Sequence, residues 1–324
     1  MLYYKRKPKD FTPLESGVVF TVGSTEECDI TVEIVDYYTD SVVATKIFRG
    51  VESADIDIAP YVMDVARVTP SLDTVCQLDD VPVAAYYIVA SSDVWREPSD
   101  RVNLSFNRRE VVQNELYTIM PHQRTISYGE CDDICFVSPL DSTVSVWINS
   151  DRGESKYLDV ESSSGIVQLH IATEEFAEGV GELSVEIYVD NKLSQQLHYD
   201  VVPRSPESVR VAWVSTDGMV ERYTFQTTLS KSVVAERERL FANPAVGEVV
   251  RNRSHRRITV RSHSLSSEMA DRLSTIVASP KVWLELGGAL VPAEVLETET
   301  VSYSFGKMAS CQYTFIYGGE EVVL

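Results

Sequence analysis

The chain has 324 residues, 44% hydrophobic and 24% charged, with a formal net charge of -20 at pH 7. That length and apolar fraction fit two or three globular domains with their own cores and exclude a disordered chain. Acidity of this size excludes electrostatic attachment to nucleic acid or to an anionic membrane, and it favours basic partners.

The charge is uneven. Residues 1–205 carry 16 Lys+Arg against 35 Asp+Glu, whereas residues 206–324 carry 13 against 14, so the step marks a boundary near residue 205. The N-terminal MLYYKRKPKDFTPLESG has basic residues without an apolar run behind them, which predicts no signal peptide and synthesis in the cytoplasm. No window approaches the roughly 18 apolar residues of a membrane span, so no membrane insertion is expected.

Taken in chain order, the pattern is that of strands. Gly17–Val22, Asp29–Tyr37, Val42–Phe48 and Val81–Ala90 read at period two or as short β-branched and aromatic runs. Asp29 to Asp36 alternates polar and apolar and predicts one wet and one buried face. The segment APYVMDVARV, from Ala59 to Val68, suits one helical turn, with Pro60 at its first position. These elements make residues 1–123 an acidic N-terminal β-sandwich.

From Arg124 a second rhythm begins, with turns predicted at Asp151-Arg152-Gly153, Ser163-Ser164-Gly165 and Asp190-Asn191-Lys192. Residues 124–205 fit a small immunoglobulin-like sandwich, with Trp147 in its core and without the cysteine pair that brackets such a Trp in antibody domains. The Pro-interrupted VVPRSPESVR, Val201–Arg210, reads as a linker.

Residues 206–324 read as an α+β domain. VRVAWVSTDGMVERYTF, Val209 to Phe225, is a hairpin with Trp213 as core anchor and Thr216-Asp217-Gly218 as the bend. Ser264 or Ser266 caps a helix with Leu265, Met269, Leu273, Ile276 and Val277 on one face, ended at Ser279-Pro280. Strands follow on both sides of Gly287-Gly288, then a closing pair over Thr298–Phe305 and Ala309–Tyr317. The predicted fold class is mainly β, with serial sandwiches followed by a C-terminal α+β domain.

Chemistry is sparse along this scaffold. No G-x-S-x-G, GxxxxGK[ST], H-E-x-x-H or G-x-G-x-x-G is present, and the five histidines are dispersed, so no catalytic residue is assigned and the chain is read as not an enzyme. Cys28, Cys76, Cys131, Cys135 and Cys311 are odd in number and scattered, which predicts thiols. Cys131 and Cys135 are half a metal site at most, Asp55-Ile56-Asp57 reads as an ordinary strand with its acids in water, and Asp79-Asp80 and Asp132-Asp133 read as solvated turns. No metal or cofactor is expected.

One basic concentration stands out, RNRSHRRITVRSH, with Arg251, Arg253, Arg256, Arg257 and Arg261. The bland reading is a solvated strand face. Docking to an acidic protein surface comes next, through bidentate guanidinium pairs, and phosphate binding last.

The succession VAWVSTDGMVERYTF, KSVVAERERLF, ITVRSHSLSSEMADRLSTIVASPKVWLE and VPAEVLETETVSYSF resembles the C-terminal region of structural proteins of phages and prophages of gut Bacteroidetes. The likeness spans about residues 209–317. It implies a virion or tail component that assembles through protein–protein contacts with other structural proteins or copies of itself. A head-to-tail contact between the Arg-rich segment of one copy and the acidic sandwich of the next fits that implication. The alternative is a surface adhesion or carbohydrate-binding protein, for which Tyr37-Tyr38, Tyr86-Tyr87 and Trp95 are the candidate glycan-stacking aromatics.

Overall fold

The computed structural model describes residues 1–9, 12–13, 17–37, 39–62, 70–80, 85–105, 112–163, 165–215, 219–243, 246–302 and 308–323. The fold is mainly β, as the sequence pattern requires.

The first unit contains β1 (Leu2–Arg6), β2 (Thr12–Pro13), β3 (Val19–Asp36), β4 (Val42–Asp57) and helix α1 (Ala59–Val62). Following β5 (Gln77–Asp80), it continues with β6 (Ala85–Ser91), β7 (Arg96–Pro98) and β8 (Val102–Ser105). They form one seven-stranded sheet ordered β1-β3-β6-β8-β2, with β4 along β3 and β7 along β6. The expected strands Gly17–Val22 and Asp29–Tyr37 are one continuous β3, whose pairing with β4 shifts register between Gly23 and Cys28. Ile30, Val32 and Ile34 are buried while Thr31 and Glu33 are half-exposed, as the alternation predicts. Residues 38, 63–68, 81–84, 164 and 303–305 of the expected elements lie outside the described residues.

The second unit contains β9 (Gln123–Ser127), β10 (Cys131–Val137), β11 (Ser142–Ser150), β12 (Ser155–Ser162), β13 (Ile166–Ala172), β14 (Glu182–Val189) and β15 (Lys192–Val202). Two sheets, β12-β11-β14-β15-β9 and β10-β13-β5, make an immunoglobulin-like sandwich. Ile134, Phe136, Val146, Leu169, Ile187 and Leu197 fill its core. The β14–β15 turn places Asp190 and Asn191 at φ 47° and 63°, the left-handed pair that a two-residue hairpin turn demands.

This sandwich recruits chain from outside the expected 124–205. β5 pairs with β13 from Gln77↔His170 to Asp80↔Val167, so residues 77–80 complete its smaller sheet, and Asp79-Asp80, expected in a solvated turn, are strand residues because β13 offers them a pairing edge. Trp147, expected in the core, is 42% exposed on the outer sheet face and packs on Tyr157 at a centroid distance of 4.9 Å. The alternation of β11 explains this, because Val144, Val146 and Ile148 take the inward positions and Trp147 falls between them.

The third unit contains β16 (Val209–Val214), β17 (Val220–Phe225), β18 (Thr227–Asn243), β19 (Val246–Arg261), β20 (Leu265–Ser266), helix α2 (Ser267–Ser274), β21 (Val282–Leu286), β22 (Ala289–Ser302) and β23 (Met308–Val323). Its sheet runs β17-β16-β21-β22-β23-β19-β18. The hairpin pairs Val209↔Phe225, Val211↔Tyr223 and Trp213↔Glu221, while the expected bend at 216–218 lies outside the described residues.

Of the two candidate caps it is Ser266 that caps α2, its Oγ accepting from the Met269 amide at 3.1 Å. Leu273 and Ile276 are buried against Trp213, Phe225, Tyr313 and Phe315. Val277, expected on that face, is 50% exposed, because a 3-10 turn over Thr275–Ala278 winds more tightly and rotates it outward. Gly287 and Gly288 make the β21–β22 turn, at φ 59° and 77°.

Trp213→Ala should lower stability by about 3–5 kcal/mol, the cost of an aromatic-sized core cavity. Trp147→Ala should cost about 1 kcal/mol or less, since only the ring pair with Tyr157 is lost. Equilibrium urea denaturation of both variants measures the difference.

Candidate functional site

The densest chemistry in the fold is a buried charge cluster between the second and third units. β10 is buried at every residue, including Asp132 and Asp133 at 2% and 3% exposure. Adjacent strand residues point to opposite faces, so the two acids reach different partners. The reading of Asp132-Asp133 as a solvated turn is thereby overturned.

Asp133 faces His170 across the β10–β13 pair, with Oδ1 2.6 Å from His170 Nδ1. His170 Nε2 lies 2.9 Å from the Asp73 carbonyl, so both ring nitrogens meet acceptors. Burial opposes the imidazolium, but these acceptors outweigh it and push the pKa up to about 10. Asp133 is held below its ordinary range, because the hydrogen bond with His170 and the charge of Arg222 overcome burial.

Arg222 on β17 donates from Nη2 to Asp133 Oδ2 at 2.5 Å and from Nη1 to Glu285 Oε1 at 2.8 Å. It also donates to the Ser71 carbonyl, tying in the segment before β5. Arg210 on β16 reaches the Cys131 carbonyl at 2.5 Å, Glu130 Oε2 at 3.2 Å and Asp132 Oδ1 at 3.4 Å. Arg124 on β9 pairs with Asp132 Oδ2 at 2.8 Å, and the Tyr199 hydroxyl donates to the same oxygen at 3.0 Å.

A fifth carboxylate sits apart. Glu221 on β17 is 1% exposed and accepts from the Ile119 amide at 2.8 Å and the Thr118 hydroxyl at 2.7 Å. Among the described residues no cation touches it directly; Arg124 donates to Thr118 Oγ1 at 2.9 Å instead. Burial accordingly pushes the Glu221 pKa up to about 7, against the attraction of Arg124. With Glu221 protonated, Arg124, Arg210, Arg222 and the His170 imidazolium balance Glu130, Asp132, Asp133 and Glu285.

Such an arrangement fastens the second unit to the third. Every guanidinium is engaged by carboxylates and carbonyls, and each arginine is buried. A groove of about 830 Å³ runs beside the cluster, lined by Arg124, Tyr199, Arg210, Tyr223, His263 and Met269.

The sequence-predicted docking residues lie elsewhere. Arg251, Arg253, Arg256, Arg257 and Arg261 are all on β19. Arg256 and Arg261 are exposed and Arg257 is half-buried; Arg261 Nη2 donates to Gln312 at 2.8 Å. The register sets Glu238 opposite Arg251, and Glu236 and Glu321 opposite Arg253. Arg256, Arg257 and Arg261 make no described contact with the buried cluster.

Asp55 Oδ1 accepts from Thr21 Oγ1 at 2.6 Å, and Asp57 Oδ1 from the Val18 and Ala59 amides at 2.8 and 3.1 Å. Among the described residues no group of three His, Cys, Asp or Glu is placed to hold a metal ion. No cysteine is in a disulfide; Cys131 and Cys135 are buried in β10. Of the candidate stacking aromatics, Tyr86 is buried, whereas Tyr37 and Trp95 are 44% and 43% exposed. No described helix is long and apolar enough to cross a membrane.

Sequence reading missed the cluster because its members are one or two charges at a time, scattered over apolar strands and one turn. The available signal was that CDDICFV, VRVAWV and VERYTF each bury a charge if they are strands at all, and a buried charge requires a partner.

Protein-family models and curated proteins return no match to the chain. Among solved structures it is similar to the chicken interferon gamma receptor alpha chain at 11% identity, covering 62% of this chain and 97% of that one, with a TM-score of 0.17. A complex of Dpr2 Ig1-Ig2 with DIP-Theta Ig1-Ig3 is similar at 7% identity, covering 98% and 90%, with a TM-score of 0.22. Superpositions this slight carry no argument about what the chain does.

Arg222→Met should cost about 3–5 kcal/mol, because it strands Asp133 and Glu285 in a dry site. It should also uncouple the second and third units, giving two denaturation transitions where one is expected for the parent, read by fluorescence and circular dichroism in parallel. Glu221 binds its proton more tightly folded than unfolded, so its contribution to stability is whole below pH 4.5 and falls as pH rises to about 7. Glu221→Gln removes that fall: relative to the parent it should gain stability from pH 5 to pH 8, by up to roughly 3 kcal/mol in urea titrations at the two pH values.

Proposed function

We propose that the chain is a non-enzymatic structural protein that works by assembling with other protein chains, as a tail or virion component of a phage or prophage. The observation that carries the assembly reading is the pair of long, half-open strands β4 and β18. Among the described residues β4 pairs only with β3, and β18 only with β19. They run for 16 and 17 residues. An edge of that length offers a row of unpaired backbone donors and acceptors to an incoming strand.

Both edges also hold apolar side chains in water: Val42, Val43 and Ile47 on β4, with Ile47 at 61% exposure, and Leu229 and Val233 on β18, with Val233 at 71%. The phage assignment rests on the resemblance over residues 209–317, and the chain's partners on that reading are other structural proteins or its own copies. Subunits are made in the cytoplasm and end in a particle.

A second reading, a surface adhesion or carbohydrate-binding protein, is favoured by the Trp147–Tyr157 pair, two rings left in water on a flat sheet face. Binding of a defined oligosaccharide on a glycan array would support it.

Native mass spectrometry and light scattering, on the chain alone and mixed with the products of neighbouring genes, test assembly. Concentration-dependent complexes are expected in at least one arm, weakened at least tenfold by Ile47→Lys with Val233→Lys. Monomer in both arms would sink the proposal.

A further inference from the structure

The outer face of the five-stranded sheet has a composition that the fold of the single chain does not use. Trp147 lies across from Tyr157 on one side and Glu186 on the other, with Ser145 and its partners Asp159 and Tyr188 in the next row and Thr143 with Glu161 in the row after. Trp147 is 42% and Tyr157 50% exposed, and Asp159 and Glu161 are exposed. Glu186 is fixed in place, accepting from Tyr188 Oη at 2.9 Å and from Gln196 Nε2 at 3.2 Å. At none of these register positions does a lysine or arginine answer the carboxylates. Aromatic faces beside carboxylates, without a resident cation, are the surroundings a guanidinium seeks, because ring quadrupole and carboxylate attract the same charge.

The same chain carries the matching group. Arg257 and Arg261 stand four residues apart on β19, hence on one face and about 13 Å apart at strand rise. Arg257 is half-buried, and its Nε lies buried without a hydrogen-bond partner, so it is the Nη end of this guanidinium that a partner would meet. Neither arginine forms an ion pair among the described residues, although the sheet presents Arg261 in water. On the receiving face, the row of Trp147 and Glu186 and the row of Glu161 are also four strand residues apart, so both guanidinium groups can be seated together.

We infer that the outer face of β12-β11-β14 receives β19 of a second copy, with Arg257 and Arg261 seated on Trp147, Tyr157 and the carboxylates of Glu186 and Glu161. The contact is heterologous: the surface that gives is distinct from the surface that receives, so each copy keeps one of each free for the next. The inference rests on the assembly reading above and names one of its partners.

Two variants test it, Trp147→Ser with Tyr157→Ser, and Arg257→Glu with Arg261→Glu, each checked for the parent's circular dichroism spectrum. Self-association, measured by sedimentation velocity at low salt, should weaken at least tenfold in each and should weaken likewise for the parent in 0.5 M salt. An equimolar mixture of the two variants should recover one-to-one pairs, since the first retains a sound arginine strand and the second a sound aromatic face, and it should stop at pairs. Trp147→Phe with Tyr157→Phe should restore association. Should either variant misfold, Glu186→Lys replaces the first and Arg261→Gln the second in the same mixture.

Parent self-association unchanged by both variants overturns the inference while leaving the assembly reading standing, as does a monomeric parent that still binds the products of neighbouring genes. A monomer in every arm overturns both. Specific binding of a neutral oligosaccharide to the Trp147–Tyr157 face, lost on Trp147→Ser with no self-association in the parent, assigns that face to a glycan and also overturns it.

Discussion

Four cations and four carboxylates buried at one junction determine how the second and third units sit against each other. Removing such groups from water costs several kcal/mol per ion, and only close, complete pairing repays it. Arg210 and Arg222 leave the β16–β17 hairpin on the face opposite Val211 and Phe225, so the hairpin is buried on both sides. One side belongs to the core of the C-terminal unit, and the other carries guanidinium groups into β10 and the Glu130 turn. A shift of either unit by a fraction of a strand spacing would part Arg210 from Glu130 and Asp132, and Arg222 from Asp133, so the network specifies a geometry more than it adds stability.

The junction also draws in chain from far away. Arg222 reaches the Ser71 carbonyl, His170 the Asp73 carbonyl, and the Cys76 amide donates to Glu175 at 2.8 Å. The chain then adds β5 to the sandwich before returning to the first sheet. On the other side, Thr118 and Ile119 hold Glu221, so the segment leading into β9 is fixed at the hairpin before the sandwich begins. The expected boundaries at 123 and 205 therefore fall within a continuous set of hydrogen bonds, and Val201–Arg210 ends in a buried arginine of that set.

The half-open strands β4 and β18, the aromatic face of the sandwich and the arginine strand β19 are what an approaching protein meets. Each is a rigid strand or sheet surface, which lets contacts form with little ordering of side chains or loops.

The sequence by itself determined strand positions, turns and cores wherever one physical rule acted alone. Alternation fixed the buried face of β3, Gly287-Gly288 fixed a turn that needs positive φ, Ser266 supplied a cap, and Trp213 with Phe225 marked a core hairpin. Tertiary structure decided what depends on partners distant in the chain. Period two names two faces without saying which one is covered, so Trp147 was assigned inward although Val144, Val146 and Ile148 already filled that side. Asp132 and Asp133 are acceptable inside a strand only because Arg124, Arg210, Arg222 and His170 arrive from four other strands, and nothing local to CDDICFV encodes their arrival. The arginines of β19 were legible as a basic strand; whether their charges are answered within the chain or by another molecule is a matter of which surfaces the fold leaves open.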